Sequence, residues 1–126
     1  MQRFSIIKGK WAVVKLAANQ EIPSWALADS DFLSITRTRE ELSIVCLEAL
    51  LPSVCPREPD WSLLKLHGPL ALDQIGVLAS MITPLAEACV SIFTVSTFDT
   101  DYILVKATQL PIACEALVAS GHVLTS

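Results

Sequence analysis

Residues 61–66 of this 126-residue chain read WSLLKL, and residues 11–16 read WAVVKL. The same pattern of a tryptophan, apolar residues and a single lysine therefore occurs twice, fifty residues apart. Residues 93–105 correspond more loosely to residues 33–45, since in both ranges two β-rich runs flank a short polar turn. Repetition of this kind indicates tandem copies of one supersecondary unit. We therefore predict two domains, a degenerate copy in residues 1–60 and a complete copy in residues 61–126.

The second copy has the more regular pattern of secondary structure. Two segments with the spacing of amphipathic helices separate its β-rich runs, which predicts the order strand, helix, strand, strand, helix, strand. This βαββαβ order is the ferredoxin-like arrangement. The predicted fold class is therefore α+β, with two tandem βαββαβ units of which the first is abbreviated. The predicted strands of the second copy are residues 61–67, 91–96, 102–106 and 122–124.

Polar residues and a glycine mark the predicted helix ends of this copy. Asp73 is predicted to cap the first helix and Thr108 the second, and Pro111 is tolerated in the first turn of the latter. Gly121 is expected to end the second helix, because glycine accepts the left-handed conformation that often follows a helix. Apolar spacing predicts the buried faces as Ile75, Leu78, Met81, Ile82 and Leu85 in the first helix and Leu110, Cys114, Leu117 and Val118 in the second.

The first copy is too short for the same set of elements. The connection between its first two strands has sixteen residues, against twenty-six in the second copy, and Pro23 can start a helix there but cannot continue one. The fourteen residues between Cys46 and Trp61 include three prolines and leave no room for a final strand. We predict that residues 4–7 fill that edge of the first copy's sheet instead.

Composition and charge exclude several classes of protein. Hydrophobic residues make up 52% of the chain, charged residues make up 17%, and the mean hydropathy is +0.53, which excludes a disordered chain. The most apolar stretch, residues 74–98, carries a single charge at Glu87. It is predicted to form a buried helix and a buried strand, and not a membrane span. The net charge of −4 and the pI near 5.0 argue against nucleic-acid and anionic-membrane partners.

Basic residues near the N-terminus decide the expected compartment. Arg3, Lys8, Lys10 and Lys15 interrupt each apolar run before the core of a secretion signal can form, so a cytoplasmic location is expected. Thiols stay reduced in that compartment, and the four cysteines of the chain are widely spaced, without a CxxC pair. We therefore expect free core cysteines, no metal site and no cofactor.

Taken together, these segments resemble the ACT domains, and specifically the tandem ACT proteins related to the CASTOR arginine sensors. The resemblance covers nearly the whole chain and is strongest from Trp61 onward. It implies a regulatory fold that binds small molecules, often amino acids, at interfaces between ACT units, and that modulates an enzyme to which it is fused or bound. It is carried by Gly68-Pro69-Leu70, by Ile75-Gly76, by residues 96–105 (STFDTDYILV) and, in the first copy, by residues 36–45 (TRTREELSIV).

Topology places a candidate ligand site at one end of the second copy. In a βαββαβ unit, the loop after the first strand and the turn after the second strand lie at the same end of the sheet. Helix N–H groups at that end suit an α-carboxylate, and Asp99 and Asp101 suit an ammonium or guanidinium group. Gly68 lets the backbone approach a ligand closely. The predicted ligand-binding residues are Gly68, Pro69, Leu70, Asp73, Gly76, Ser96, Thr97, Phe98, Asp99, Thr100 and Asp101.

These residues also have purely structural interpretations. Asp99 can cap backbone groups of its own turn, Asp73 can cap its own helix, and Phe98 can pack on the turn instead of covering a ligand. The sequence contains no nucleophile elbow, phosphate loop or HExxH motif, so no catalytic residue is assigned and no enzyme activity is expected. Two hypotheses remain. The first is an amino-acid-sensing homodimer that modulates an unidentified partner protein, and the second is an interaction or dimerisation module that binds no ligand.

Overall fold

A computed structural model describes residues 1–71 and 73–125, so position 72 of the predicted ligand loop and position 126 lie outside the described residues. The chain divides into two compact units. The larger unit comprises Met1–Lys8 and Ser62–Ser126, and the smaller unit comprises Gly9–Trp61. Strands β1 (Arg3–Leu16) and β4 (Glu58–Leu66) have residues in both units.

The larger unit confirms the predicted α+β, ferredoxin-like fold. After β4 the chain forms α1 (Val77–Glu87), β5 (Ile92–Ser96), β6 (Asp101–Lys106), α2 (Leu110–Ala119) and β7 (Val123–Thr125). This is the βαββαβ order, and within the unit the strands lie in the spatial order β7-β1-β4-β6-β5. β5 and β6 pair antiparallel, from Ile92 opposite Val105 to Ser96 opposite Asp101.

One hydrophobic core joins the strands of the larger unit to both helices. Leu64 and Leu66 are two residues apart on β4 and therefore point to the same face of the sheet. On α1, the buried residues are spaced by four, which places them on one stripe of the helix. The buried core residues are Phe4, Leu64, Leu66, Val77, Met81, Leu85, Val90, Ile103, Val105, Ala113 and Leu117.

The first helix begins later than the sequence predicts. Gly76, with φ at +81°, is the N-cap of α1, so the predicted cap at Asp73 is wrong. The left-handed conformation turns the chain directly into the helix at Val77, and this conformation is available to glycine without steric cost. Ile75 was predicted on the buried face but lies before the helix and is 95% exposed.

The second helix differs from the prediction at its start and agrees at its end. A short 3-10 helix, Ala107–Gln109, leads into α2 and Gln109 occupies its N-cap position, so the predicted cap at Thr108 is wrong. Pro111 lies in the first turn as predicted, and Gly121, with φ at +96°, follows the last turn as predicted. The buried stripe is centred on Ala113 and Leu117 with Leu110 and Cys114 beside it, which leaves the predicted core residue Val118 about half exposed.

β5 was predicted to be a buried strand, and this is wrong. It lies at one end of the strand order, and each of its five residues is at least partly exposed. An edge strand has a neighbouring strand on one side, so its apolar residues, such as Phe93 and Val95, are covered less than those of a central strand.

Residues 3–5 of β1 complete the sheet of the larger unit. They pair in parallel with β7, with Arg3 opposite Val123, and the Arg3 carbonyl accepts a hydrogen bond from the His67 N–H at 2.8 Å. Phe4 is fully buried in the core of this unit. The prediction that residues 4–7 fill an edge of the first copy's sheet is therefore wrong, because Phe4 buries its aromatic ring among the helices of the larger unit.

His122 joins three segments of this unit. The Gln2 N–H donates to His122 Nδ1 at 3.0 Å, so Nδ1 is the unprotonated nitrogen, and Nε2–H donates to the Ser80 carbonyl at 2.9 Å. The ring is 6% exposed. This pair of hydrogen bonds holds the start of β7 to the N-terminus and to α1.

The smaller unit contains strands and 3-10 helices. β2 (Ser34–Arg37), β3 (Leu42–Leu47) and the second part of β1 lie in the order β2-β3-β1 and pair antiparallel. A 3-10 helix at Ser24–Leu27 follows Pro23, which agrees with the expectation that a helix can start at this proline but cannot continue through it. The Arg37 guanidinium donates to the carbonyls of Ala18 and Gln20 and so fixes the start of this connection. That this unit is a degenerate copy of the larger one stays a prediction.

Phe4 provides a direct test of the role of the N-terminal strand. We expect Phe4→Ala to lower the free energy of unfolding by about 3–5 kcal/mol, because it removes a fully buried aromatic ring from the core. Ile6→Ala, two residues along the same strand and 41% exposed, should lower it by less than about 1 kcal/mol. Denaturant titration of both variants measures the difference, and equal losses would contradict the assignment of Phe4 to the core.

Candidate functional site

The turn between β5 and β6, residues 97–100, is closed by two threonines. The Thr97 N–H donates to the Thr100 carbonyl at 2.8 Å, and the Thr100 N–H donates to the Thr97 hydroxyl oxygen at 3.3 Å. The Asp99 side chain is exposed, and it has no hydrogen-bond or ion-pair partner among residues 1–71 and 73–125. The sequence left two roles open for Asp99, ligand binding and capping of its own turn. Among these residues, the Asp99 side chain caps no backbone group.

This turn lies against the loop that follows β4. The Thr100 hydroxyl, which is buried, donates to the Leu66 carbonyl at 2.8 Å, and the Leu70 N–H donates to the Asp99 carbonyl at 2.6 Å. Gly68 lies at the contact, where a Cβ atom would stand 2.8 Å from the Asp99 carbonyl oxygen. The Gly68–Pro69 peptide bond is cis. The two segments that the topology predicts at one end of the sheet are thus in direct contact.

Two cavities flank the turn, and both lie within the larger unit. The first, called here the helix-side cavity, has a volume of about 340 Å³ and is lined by Leu70, Ala71, Gln74, Gly76, Val77, Leu78, Ala79, Ser96, Thr97, Phe98, Asp99, Thr100 and Asp101. The second, called here the Lys65 cavity, has a volume of about 280 Å³ and is lined by Lys65, Gly68, Pro69, Thr97, Asp99, Thr100 and Tyr102. Thr97, Asp99 and Thr100 line both.

The structure brings ten of the eleven predicted site residues to these two cavities. Asp73 is the exception: it is exposed, lies four residues before the first residue of α1, and lines neither cavity. Lys65 and Tyr102, on the neighbouring strands β4 and β6, also line the Lys65 cavity but were not predicted from the sequence. One signal pointed to Lys65, since it is the charged residue inside the apolar run WSLLKL.

Groups of opposite charge face these cavities. Asp101 accepts a hydrogen bond from the Ser96 hydroxyl, and the Asp99 carboxylate is exposed beside it. On the side of positive charge, α1 presents its N-terminus to the helix-side cavity, where the first N–H groups of a helix have no intrahelical acceptor. The Lys65 ammonium lies 6.0 Å from the centre of the Tyr102 ring. The arrangement can hold a small molecule that carries both an anionic and a cationic group.

The cysteines are not part of either cavity. Burial, together with the nearby Cys55 thiol, raises the pKa of Cys46 to about 11 against an opposing effect of Arg57, and burial raises the pKa of Cys114. Cys89 is exposed, so the prediction of core cysteines is wrong for this residue. Thiols with raised pKa values are poor nucleophiles at neutral pH, because the thiolate is the reactive form.

Residues 1–71 and 73–125 contain neither a group of metal ligands nor a helix that could span a membrane. In these ranges, no three or more His, Cys, Asp and Glu side chains are grouped so that they could hold a metal ion. The helices in the same ranges are all too short or too polar to cross a membrane.

Comparisons with family models divide the chain much as its packing does. A model described as an ACT domain matches residues 57–119, which is half of the chain. A second model, described as an N-terminal domain, matches residues 9–54. The search of curated proteins found no match.

Solved structures resemble the whole chain. A protein of Agobacterium tumefaciens, known from an X-ray structure, is 40% identical, with 98% of this chain and 92% of that chain covered and a TM-score of 0.92. A Vibrio cholerae protein described as a possible transport protein is 18% identical, with 94% and 89% covered and a TM-score of 0.76. The regulatory subunit of aspartate kinase from Thermus thermophilus is 11% identical, with 89% and 91% covered and a TM-score of 0.62. The last two likenesses show a shared fold alone.

Gly68 tests the contact on which the site is built. In Gly68→Ala, the new methyl group would lie 2.8 Å from the Asp99 carbonyl oxygen and 3.1 Å from the Leu70 nitrogen, which are backbone atoms that cannot swing away. We expect a loss of about 1–3 kcal/mol in the free energy of unfolding. Ala71→Ser, which adds one heavy atom at an exposed position of the same loop, should change it by less than about 0.5 kcal/mol. Thermal unfolding measures both, and an unchanged Gly68→Ala would contradict the close contact.

Proposed function

The chain belongs to the ACT-domain family, and from this premise we propose that it is a small regulatory protein that binds an amino acid in the larger unit and modulates a partner protein. The observation that carries the proposal is the pair of cavities around residues 97–100, which are lined by groups of both charges. An amino acid is a zwitterion, so its site has to offer an anionic and a cationic group close together.

Asp99 and Asp101 supply the anionic part of the proposed site. Carboxylates form strong, charge-assisted hydrogen bonds with ammonium and guanidinium groups. Thr97 and Thr100 form the hydrogen bonds that close the turn, so the Asp99 carboxylate is not needed for this purpose and is available to a ligand.

The N-terminus of α1 favours an anionic group in the helix-side cavity. Its N-cap is Gly76, which has no side chain, so the first N–H groups of the helix are not capped by a carboxylate or hydroxyl. A cap at Asp73 would have competed with a ligand for these groups. With glycine as the N-cap, the first N–H groups of α1 remain available to an anionic group of a ligand.

The proposal also covers the relatives of this protein, its regulatory role and its location in the cell. We propose a tandem ACT protein similar to the CASTOR-related proteins, with units at residues 1–60 and 61–126, supported by the repeat of WAVVKL as WSLLKL. The likeness to a regulatory subunit of aspartate kinase supports a regulatory rather than a catalytic role. A cytoplasmic location is supported by the basic residues that interrupt the N-terminal apolar runs.

A screen of the proteinogenic L-amino acids by thermal unfolding tests the proposed function. A ligand present at about a hundred times its Kd should stabilise the native protein by about 2.7 kcal/mol. We expect Asp99→Asn to abolish the shift from the stabilising amino acid, because the variant keeps the size of the side chain but loses the charge that binds the ammonium group, and Asp99 lines both cavities. The unliganded stability of the variant should remain close to that of the native protein.

Asp29→Asn is the matched control for this experiment. It removes one carboxylate outside both cavities and should leave the ligand shift unchanged. If Asp99→Asn responds to the ligand as the native protein does, this aspartate does not bind it. If no amino acid stabilises the native protein, the proposed ligand class is wrong.

The second candidate function is an interaction or dimerisation module without ligand, and β7 favours it. This strand lies at one end of the strand order, and Val123 and Leu124 are 42% and 41% exposed. Exposed apolar edge strands pair with further strands, and a second copy of the same chain is the commonest partner. The homodimer is part of both candidate functions.

We expect sedimentation to show a homodimer at micromolar concentration. Val123→Lys should shift it to monomer, because a lysine on an edge strand opposes strand pairing. Ile112→Lys, which places the same charge at an exposed apolar position of α2, should leave the dimer intact. A native protein that sediments as a monomer would contradict the prediction.

A further inference from the structure

We propose that Lys65 binds the carboxylate of the ligand in the Lys65 cavity, while Asp99 binds its ammonium group. This inference rests on the proposed function and names the residue that provides the positive charge of the ligand site. The other candidate for that charge is the N-terminus of α1, on the opposite side of the turn.

The Lys65 cavity has one cationic and one anionic residue among its seven lining residues. These are Lys65 and Asp99, and the remaining five carry no charge. Within the part of the chain that the structure describes, Lys65 and Asp99 form no ion pair with each other or with other residues. An ammonium and a carboxylate that share a cavity without touching leave a gap in which a zwitterion can satisfy both.

The strand pattern determines where the Lys65 side chain points. Leu64 and Leu66 are fully buried in the core with the helices, so Lys65 projects from the opposite face of β4. Lys65 is half-buried, and its ammonium lies 6.0 Å from the centre of the Tyr102 ring on the neighbouring strand β6. Attraction between the cation and the ring restrains the ammonium at the cavity.

Two hydroxyl groups of the cavity are already engaged in the fold. The Thr100 hydroxyl donates to the Leu66 carbonyl at 2.8 Å, and the Thr97 hydroxyl donates to the Thr100 carbonyl at 3.1 Å. The Lys65 ammonium and the Asp99 carboxylate form no hydrogen bond or ion pair among the described residues, so they are the strongest binding groups that this cavity offers to a ligand. Its volume of about 280 Å³ lies just below the usual range for small-molecule pockets, about 300–1,000 Å³, which suits a ligand of amino-acid size.

A full charge favours Lys65 over the helix end. The N-terminus of a helix carries an effective charge of roughly half a unit, whereas the lysine carries a whole one. Hydrogen bonds in which both partners are ionised are also stronger than those from neutral backbone N–H groups. Asp99 lines both cavities, so it can bind the ammonium group whether Lys65 or the N-terminus of α1 binds the carboxylate. A substitution of Lys65 is therefore needed to distinguish the two.

The test pairs a change in the protein with a change in the ligand. Native protein, Lys65→Met and Lys65→Arg are titrated by calorimetry with the proteinogenic L-amino acids and with the corresponding L-amino acid amides, which lack the carboxylate charge. We expect Lys65→Met to weaken amino-acid binding by at least about tenfold, equivalent to about 1.4 kcal/mol. It should leave amide binding unchanged, and Lys65→Arg should retain most of the affinity for the amino acid.

Lys15→Met is the matched control, because Lys15 occupies the same position in WAVVKL that Lys65 occupies in WSLLKL, and it lines neither cavity. It should bind as the native protein does. Thermal unfolding without ligand shows whether each variant is folded, and Lys65→Arg provides a second folded variant if Lys65→Met is unstable.

The outcomes separate this inference from the proposed function. If the native protein binds an amino acid and Lys65→Met binds it equally well, the inference is overturned and the proposed function stands, with the helix end as the positive pole. If Lys65→Met weakens binding of the amino acid and of its amide to the same extent, Lys65 shapes the cavity without contacting the carboxylate, and the inference is again overturned. If no amino acid binds the native protein, both fail.

Discussion

Two hydrogen bonds to backbone carbonyls hold together the end of the sheet on which the candidate site is built. The Thr100 hydroxyl donates to Leu66, and the Leu70 N–H donates to Asp99, so the loop after β4 and the turn after β5 cannot separate without breaking both. The Thr100 bond is buried, where an unsatisfied hydroxyl is costly. Gly68 is needed at this contact, because a Cβ atom there would collide with the Asp99 carbonyl.

In this part of the fold, some polar residues stabilise the structure and others are available to a ligand. Threonines close the turn and join it to β4, whereas the side chains of Asp99 and Lys65 form no hydrogen bond or ion pair among the described residues. An aspartate cap would have consumed the charge that a ligand needs. The same logic applies to α1, whose N-cap is a glycine without a side-chain acceptor, so that its N–H groups remain open to the helix-side cavity.

The scaffold behind the site is completed by a segment far from it in sequence. Phe4 fills the core under both helices, Arg3 pairs with β7, and His122 ties Gln2 to α1 through both of its ring nitrogens. A βαββαβ unit of about sixty residues is marginal in size. The N-terminal strand adds a fully buried aromatic residue and a further strand to this unit, and so supports the β4 and β6 ends that carry the site.

The sequence by itself determined the order of elements in residues 61–125, because strand and helix periodicities are local properties. It also placed Gly68 and the turn at 97–100 at one end, since the βαββαβ order decides which connections meet. Local patterns could not predict that α1 starts after Gly76, because the apolar spacing continues back to Ile75 and only the backbone turn excludes that residue. The pairing of residues 3–5 with β7 and the position of Lys65 beside Tyr102 were decided by the tertiary structure alone. Each brings together residues that are distant in the chain, and no local periodicity records which strands become neighbours.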